Sequence, residues 1–266
     1  PEAFFEVLPR MVWHEDEPLA HPSIVPLYFV AELASRHVKV VLTGEGSDEL
    51  LAGYARYWKT AYNVRLGAGY ERWTPAGVRS LVRRGIGGLP GRSGAWQKLS
   101  RSFLYLPAEL ESIYFDNFAV FTRAMQGEVL SRTTRARVDI GGAYAAASRH
   151  LSRTDASKLV DRLLYADMHT YLHELLMKQD QMSMAASVES RVPFLDHSLV
   201  EFVAGLPQRL KLRGRTTKYV LREAMKGVLP EPILTRKKAG FPVPIGRWLR
   251  GPYRSWLDEY VLGTRA

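Results

Sequence analysis

Cysteine is absent from the 266 residues. That excludes a disulfide scaffold, a thiolate metal site and a cysteine nucleophile within this chain. No apolar run reaches the roughly 18 residues a membrane-crossing helix needs. The opening Pro1-Glu2-Ala3-Phe4-Phe5 does not read as a secretory leader. Zinc-finger spacing, a regularly spaced basic helix and an RNP-type aromatic motif are missing too. The reading is therefore no membrane and no nucleic-acid partner. Acidic residues are the scarcer charge: 27 Asp and Glu face 37 Lys and Arg, for a net +10. Such a surplus suits a soluble basic surface, or a polyanionic ligand such as a nucleotide or pyrophosphate. Hydrophobic residues at 46% and charged residues at 24% are ordinary for a globular chain. No internal repeat is visible. The first residue is not Met, and the start is expected to be a cut in a longer chain.

Apolar spacing predicts a short helix over 4–12, an acidic turn at His14-Glu15-Asp16-Glu17-Pro18, and a helix over 23–37. Val38–Leu42 is rich in β-branched residues and runs into a glycine turn, which predicts a buried strand of a parallel sheet. A helix is expected to start within Asp48–Lys59. Residues 65–98 carry recurrent glycines among arginines and read as a flexible surface segment. From 108 onward the pattern is helical with short breaks. It is clearest over 157–178, where leucines form a broad stripe. His169 and His173 lie one turn apart there and read as ordinary helix residues. A parallel strand cannot stand alone, so its neighbours are expected upstream of Pro1. The tail, with Pro230, Pro232, Pro242, Pro244 and Pro252, should be irregular with short helices.

Three stretches carry chemistry. In Val40-Val41-Leu42-Thr43-Gly44-Glu45-Gly46-Ser47-Asp48-Glu49-Leu50 a strand enters a Gly-x-Gly turn before a helix. Ligands of open parallel sheets bind at that end of a strand. Gly44 and Gly46 permit close backbone approach to a phosphate or ribose. Ser47 or Asp48 could cap the helix. Glu45, Asp48 and Glu49 would repel a bare phosphate, but they suit one carried with Mg²⁺. One carboxylate could serve as a general base. The alternative is a solvated turn with a capping Asp. In Met184–His197, the charges Glu189, Arg191 and Asp196 sit among apolar residues. They read either as functional or as a buried ion pair that fixes a loop. Arg213–Arg222 and Arg236–Pro242 are basic clusters near turns, with Lys218 opening a helix. Each reads as a polyanion contact or a solvated basic face.

In combination these residues resemble the synthetase domain of glutamine-hydrolysing asparagine synthetases. The resemblance runs through Asp16-Glu17-Pro18, Val41–Glu49, Met182-Ser183-Met184-Ala185, Arg191–Asp196, Lys218–Arg222 and Lys238-Ala239-Gly240-Phe241. It covers nearly the whole chain, least specifically at 65–105. It implies an α/β fold: a parallel-sheet, ATP-pyrophosphatase (adenine nucleotide alpha hydrolase-like, Rossmann-like) synthetase domain. Residues 1–266 would be the C-terminal part of one such domain, mostly α-helical with few strands. The strand and turn at 38–50 would serve the nucleotide, and 108–266 would form the helical part.

The implied reaction is adenylation of the aspartate side chain by ATP, with release of pyrophosphate, then attack of ammonia on β-aspartyl-AMP. The ammonia would come from glutamine through an N-terminal glutaminase domain that this chain lacks. By position, Thr43, Gly44, Gly46, Ser47 and Asp48 would face the nucleotide. Glu45 would take a proton from attacking ammonia. Asp48 would hold Mg²⁺ and pyrophosphate, and Lys218 would offset charge growing on the α-phosphate. Arg191 and Asp196 match family positions without an assigned chemistry. A cytoplasmic location and a homodimer belong to the same expectation.

Departures qualify the likeness. The family's Ser-Gly-Gly-x-Asp-Ser pyrophosphate loop is absent, Thr43 stands where Ser is usual, and Leu51-Ala52-Gly53 stands where Phe-Gly-Gly is usual. The isolated chain is therefore expected to be inactive. Two alternatives are a relative that adenylates another carboxylate and a non-catalytic scaffold that keeps the fold. In β-lactam synthetases Tyr occupies the position of Glu45, so Glu45 favours external ammonia.

Overall fold

The computed structural model describes residues 1–17, 21–90, 93–236 and 243–263. The chain divides into two units. One comprises Pro1–Glu45, His173–Asp196 and Met225–Ala266; the other comprises Gly46–Leu172 and His197–Ala224.

In the first unit, the helices Glu2–Glu15 and Ile24–Ser35 match the apolar spacing of the sequence closely. The first ends at Asp16, which adopts left-handed backbone at φ 59°. The two helices pack through Phe4, Met11, Ile24, Val25 and Tyr28, with Met182 completing the buried cluster. Phe5 stacks on Tyr253 at 4.2 Å between ring centroids, which ties the tail to the first helix. Strand β1 (Val40–Leu42) pairs in parallel with β2 (Glu189–Arg191), in the register Val40↔Glu189, Val41↔Ser190, Leu42↔Arg191.

That pairing corrects two expectations. One neighbour of β1 lies downstream of it in this chain, where the sequence reading placed all its neighbours upstream of Pro1. The strand is also not buried: Val40 is 44% and Leu42 is 72% exposed. A β-branched run reports a preference for extended backbone; burial depends on what covers its faces. Only the edge toward β2 is paired among the described residues. The alternation of side chains along β2 places Glu189 and Arg191 on one face, where they pair at 2.8 Å with both side chains more than half exposed. The ion pair anticipated there exists, but it is a solvated one, worth little to stability.

In the second unit, the core is Tyr57, Tyr114, Leu151, Val160, Leu163, Leu164, Ala166 and Leu212. Strands β3 (Leu212–Arg213) and β4 (Thr216–Thr217) form a short antiparallel hairpin. Among residues 65–98, Gly91 and Arg92 lie outside the described residues, and the rest are not the flexible segment their glycines suggest. They continue the helix Ala55–Trp73 and then form the helices Ala76–Gly87 and Gly94–Leu99. Gly67 shows why: a Cβ there would come within 2.9 Å of the Ala108 side chain and 3.1 Å of Phe103. This glycine serves close packing, not bending. The 157–178 stripe is likewise two helices, Leu159–His169 and Tyr171–Ala185. Between them the Thr170 hydroxyl donates to the Ala166 carbonyl at 2.7 Å. A side-chain hydroxyl that binds the preceding turn competes with the helical ladder.

Candidate functional site

The strand–turn motif is shared by the two units: Thr43 to Glu45 end one stretch and Gly46 opens the other. In the first unit, the Thr43 N–H donates to the Arg191 carbonyl at 2.8 Å. This extends the β1–β2 ladder by one bond and fixes the strand's carboxyl end. A Cβ placed on Gly44 meets nothing within 4 Å, so that backbone has open space beside it. Glu45 is half-buried.

In the second unit, Gly46 takes left-handed backbone at φ 82° and stands at the N-cap of a one-turn helix, Ser47–Leu50. The expected capping by Ser47 or Asp48 is therefore corrected, and the long helix begins only at Ala55. Both side chains turn instead to Lys218. The Lys218 ammonium donates to Ser47 Oγ at 2.8 Å and lies 3.0 Å from Asp48 Oδ1. The Lys218 and Asp48 side chains are only 21% and 19% exposed. Partial burial raises the strength of such a contact above that of a surface pair.

The backbone holds this cluster by unusual means. Lys218 has φ 52° and follows β4 directly; its N–H donates to the Leu51 carbonyl at 3.1 Å. Ala52, fully buried, has φ 54°. Left-handed backbone is costly for residues with a Cβ, and such costs gather where function requires a set geometry. Beside them, a Cβ on Gly53 would fall 1.7 Å from Asp48 Oδ1 and 2.5 Å from Lys218 Cε. Only glycine admits the pair at this distance. Sequence reasoning missed Gly53 and Ala52 as site-forming residues. Their one signal was that Leu51-Ala52-Gly53 follows the acidic turn directly.

Behind the cluster, Glu49 is buried and accepts a hydrogen bond from the Tyr54 hydroxyl at 2.6 Å. Burial, and next the Glu49 charge, push the Tyr54 phenol well above its ordinary range, so it stays a donor. Further in, Asp167 accepts from Tyr57 at 2.6 Å, Tyr114 at 2.5 Å and Arg56 at 2.6 Å. The Arg56 guanidinium lies over the rings of Tyr54 and Tyr171 at 4.7 and 4.5 Å. These contacts pin the start of the helix that follows Gly53.

Other predicted residues stand apart from this arrangement. His169 closes one helix and its Nδ1 lies 2.9 Å from the Tyr165 carbonyl oxygen, while His173 belongs to the next helix. Among the described residues no three His, Asp or Glu side chains gather around a common point. At this turn the Asp48 carboxylate could offer a metal one ligand. A single carboxylate fits Mg²⁺ where phosphate oxygens and water supply the other ligands. Of the second basic cluster, Lys237–Pro242 lies outside the described residues, and so does Pro18 of the acidic turn.

The family model described as Asparagine synthase matches residues 1–266. The Bacillus subtilis protein named asparagine synthetase [glutamine-hydrolyzing] 1 is 35% identical over 264 residues, covering 98% of this chain and 39% of that protein. A Mycobacterium tuberculosis relative is 38% identical over 269 residues, covering all of this chain and 39% of its own length. A more distant relative, the amidase chry2 of Gibberella zeae, is 24% identical over 280 residues, with 98% of this chain and 40% of that one covered. The chain thus spans about two-fifths of the length of the relatives it matches, 39% in the first two.

Proposed function

The chain belongs to the asparagine synthase family, and from that premise we propose that it carries the synthetase part of an ATP-dependent, asparagine-forming ligase. In this reading the aspartate side-chain carboxylate attacks the α-phosphorus of ATP. β-Aspartyl-AMP forms and pyrophosphate leaves. Ammonia then attacks the acyl carbon, and asparagine and AMP are released. The ammonia comes from glutamine, through a glutaminase domain of the whole protein, in the cytoplasm.

The observation that carries this reading is the Lys218 ammonium, held within 3.0 Å of Ser47 Oγ and Asp48 Oδ1 at the head of a glycine turn. A cation fixed in advance needs no reorganisation when negative charge grows on a phosphate, and such help typically lowers a barrier by about 3–4 kcal/mol. The Thr43, Gly44, Gly46 and Ser47 backbone would border the nucleotide. Glu45 would accept the proton that the attacking nitrogen must lose to become an amide. Asp48 would face pyrophosphate and supply the protein's share of a Mg²⁺ coordination sphere. When bound, that ion neutralises phosphate charge. The Lys218 ammonium carries three donors, and with two directed to Ser47 and Asp48 the third would remain for the phosphate.

The test is pyrophosphate release by the whole protein with ATP, Mg²⁺ and ammonia, with and without aspartate. Aspartate-dependent release, with asparagine formed, is the expected result. Without aspartate dependence the assignment fails. A second reading draws on the amidase-named relative: adenylation of a different carboxylate for amide formation. It predicts release with another acid and none with aspartate. The chain of 266 residues alone is expected to release no pyrophosphate in either case.

A further inference from the structure

A cavity of about 760 Å³ lies in the second unit, lined by none of the residues discussed so far in the site. Its walls include Lys59, Lys98 and Arg101, the rings of Trp96 and Phe118, and the amide of Asn117. The volume is that of a small-molecule site. The wall chemistry is one-sided: Lys59, Lys98 and Arg101 are among the lining residues and no acid is, and the flanking residues 65–105 contain eight Lys and Arg and a single acid, Glu71. That acid is committed elsewhere, accepting from the Ala108 N–H at 3.2 Å.

None of the three cations makes an ion pair among the described residues. All three are exposed, and the Lys59 ammonium lies 5.8 Å from the Trp58 ring centroid; like charges gathered at one hollow favour an anion between them. The frame is also braced. Asn63 Oδ1 accepts from the Phe103 N–H at 2.9 Å, and Asn117 Nδ2 donates to the Arg101 carbonyl at 3.3 Å. These two bonds tie the segment bearing Arg101 to the helix Ala55–Trp73 and to the end of the π-helix Glu111–Asp116. Trp96 is half-buried and Phe118 is 40% exposed, so flat apolar surface is available beside the cations. Ring faces and cations together select a planar anion.

We propose that this cavity is a second ligand site, taking a phosphate-bearing ring compound of the nucleoside monophosphate class. Lys59, Lys98 and Arg101 would meet the phosphate. Trp96 and Phe118 would cover the ring, and Asn117 would offer its amide oxygen to a ring donor. The proposal stands independently of the reaction assigned to the Lys218 cluster.

The experiment is calorimetric titration of AMP into the whole protein and its variants, with adenosine and inorganic phosphate as separate probes. AMP is expected to bind the Lys218→Ala protein, where the other cluster has lost its phosphate-facing cation. In that background, adding Lys98→Ala and Arg101→Ala should weaken AMP at least about tenfold, the scale of one lost charge contact. Trp96→Leu should weaken AMP but leave inorganic phosphate unchanged. Lys98 and Arg101 are exposed, so the fold should persist. Circular dichroism checks it, and the milder Arg101→Gln serves if the double variant unfolds. No AMP binding in the Lys218→Ala protein, unchanged affinity after loss of Lys98 and Arg101, or equal affinity for adenosine or phosphate would each overturn the proposal.

Discussion

The Lys218 ammonium and the Asp48 carboxylate stand 3.0 Å apart, and the missing side chain of Gly53 makes room for them. The two charges come from distant parts of the sequence. One follows the β3–β4 hairpin, the other a glycine turn. Their meeting is the feature of the second unit that most constrains its chemistry.

Gly53→Ala should therefore act on the cluster more than on the fold. The new methyl would force Asp48 and Lys218 apart. Aspartate-dependent pyrophosphate release should fall at least about tenfold, as expected when positioned groups are displaced by about 1 Å. Unchanged kcat/KM with a lowered Tm would show that Gly53 matters only to packing.

Asp48→Asn and Lys218→Met should be strongly non-additive. Each single change breaks the contact, so the double variant should lose little more than the worse single one. A coupling energy of about 1–3 kcal/mol in kcat/KM is expected for groups in direct contact. A cycle that closes to zero would separate their roles.

Stability should depend on a different pair. Lys211, 3% exposed, lies 3.1 Å from Asp161 and donates to the Ala204 carbonyl at 3.1 Å. Lys211→Met strands the Asp161 charge and should cost about 3–5 kcal/mol in chemical denaturation. Joining it with Asp161→Leu should restore most of that loss. A single variant as stable as the parent would contradict the assignment.

Alkaline pH should act through Tyr57 and Tyr114. Burial, and next the Asp167 charge, hold both phenols well above their ordinary range. In the unfolded chain they ionise near pH ~10. Above that pH the unfolded state binds fewer protons than the folded one, so stability falls as pH rises. Their contribution is thus complete below pH ~10 and declines above it. Tyr57→Phe should lower Tm at neutral pH by removing a hydrogen bond to a charged group, worth about 1.5–3 kcal/mol. It should also flatten the decline between pH ~10 and ~11. An equally steep alkaline loss in the variant would assign the effect to other groups.

Much of the local structure was legible in the sequence. Apolar spacing located the helices Glu2–Glu15 and Ile24–Ser35 to within a few residues, because helical period is a local property. The β-branched run before Gly44 located β1, and the motifs together pointed to the family whose model matches residues 1–266. The glycine-rich 65–98 segment misled, since a glycine chosen for close approach, as at Gly67, looks the same in sequence as one chosen for flexibility. The 157–178 stripe misled for a related reason: apolar periodicity continues across Thr170 although the backbone does not.

By itself, then, the sequence determined family, helix positions, the one-sided charge of residues 65–105 and the residue types available for phosphate chemistry. Each depends on composition or on neighbours along the chain. Tertiary structure alone decided that β1 is exposed and pairs with β2. It alone brought Lys218 to Ser47 and Asp48, and it gathered three cations with two rings around one cavity. Those arrangements depend on which distant segments pack together, and no local spacing encodes that choice.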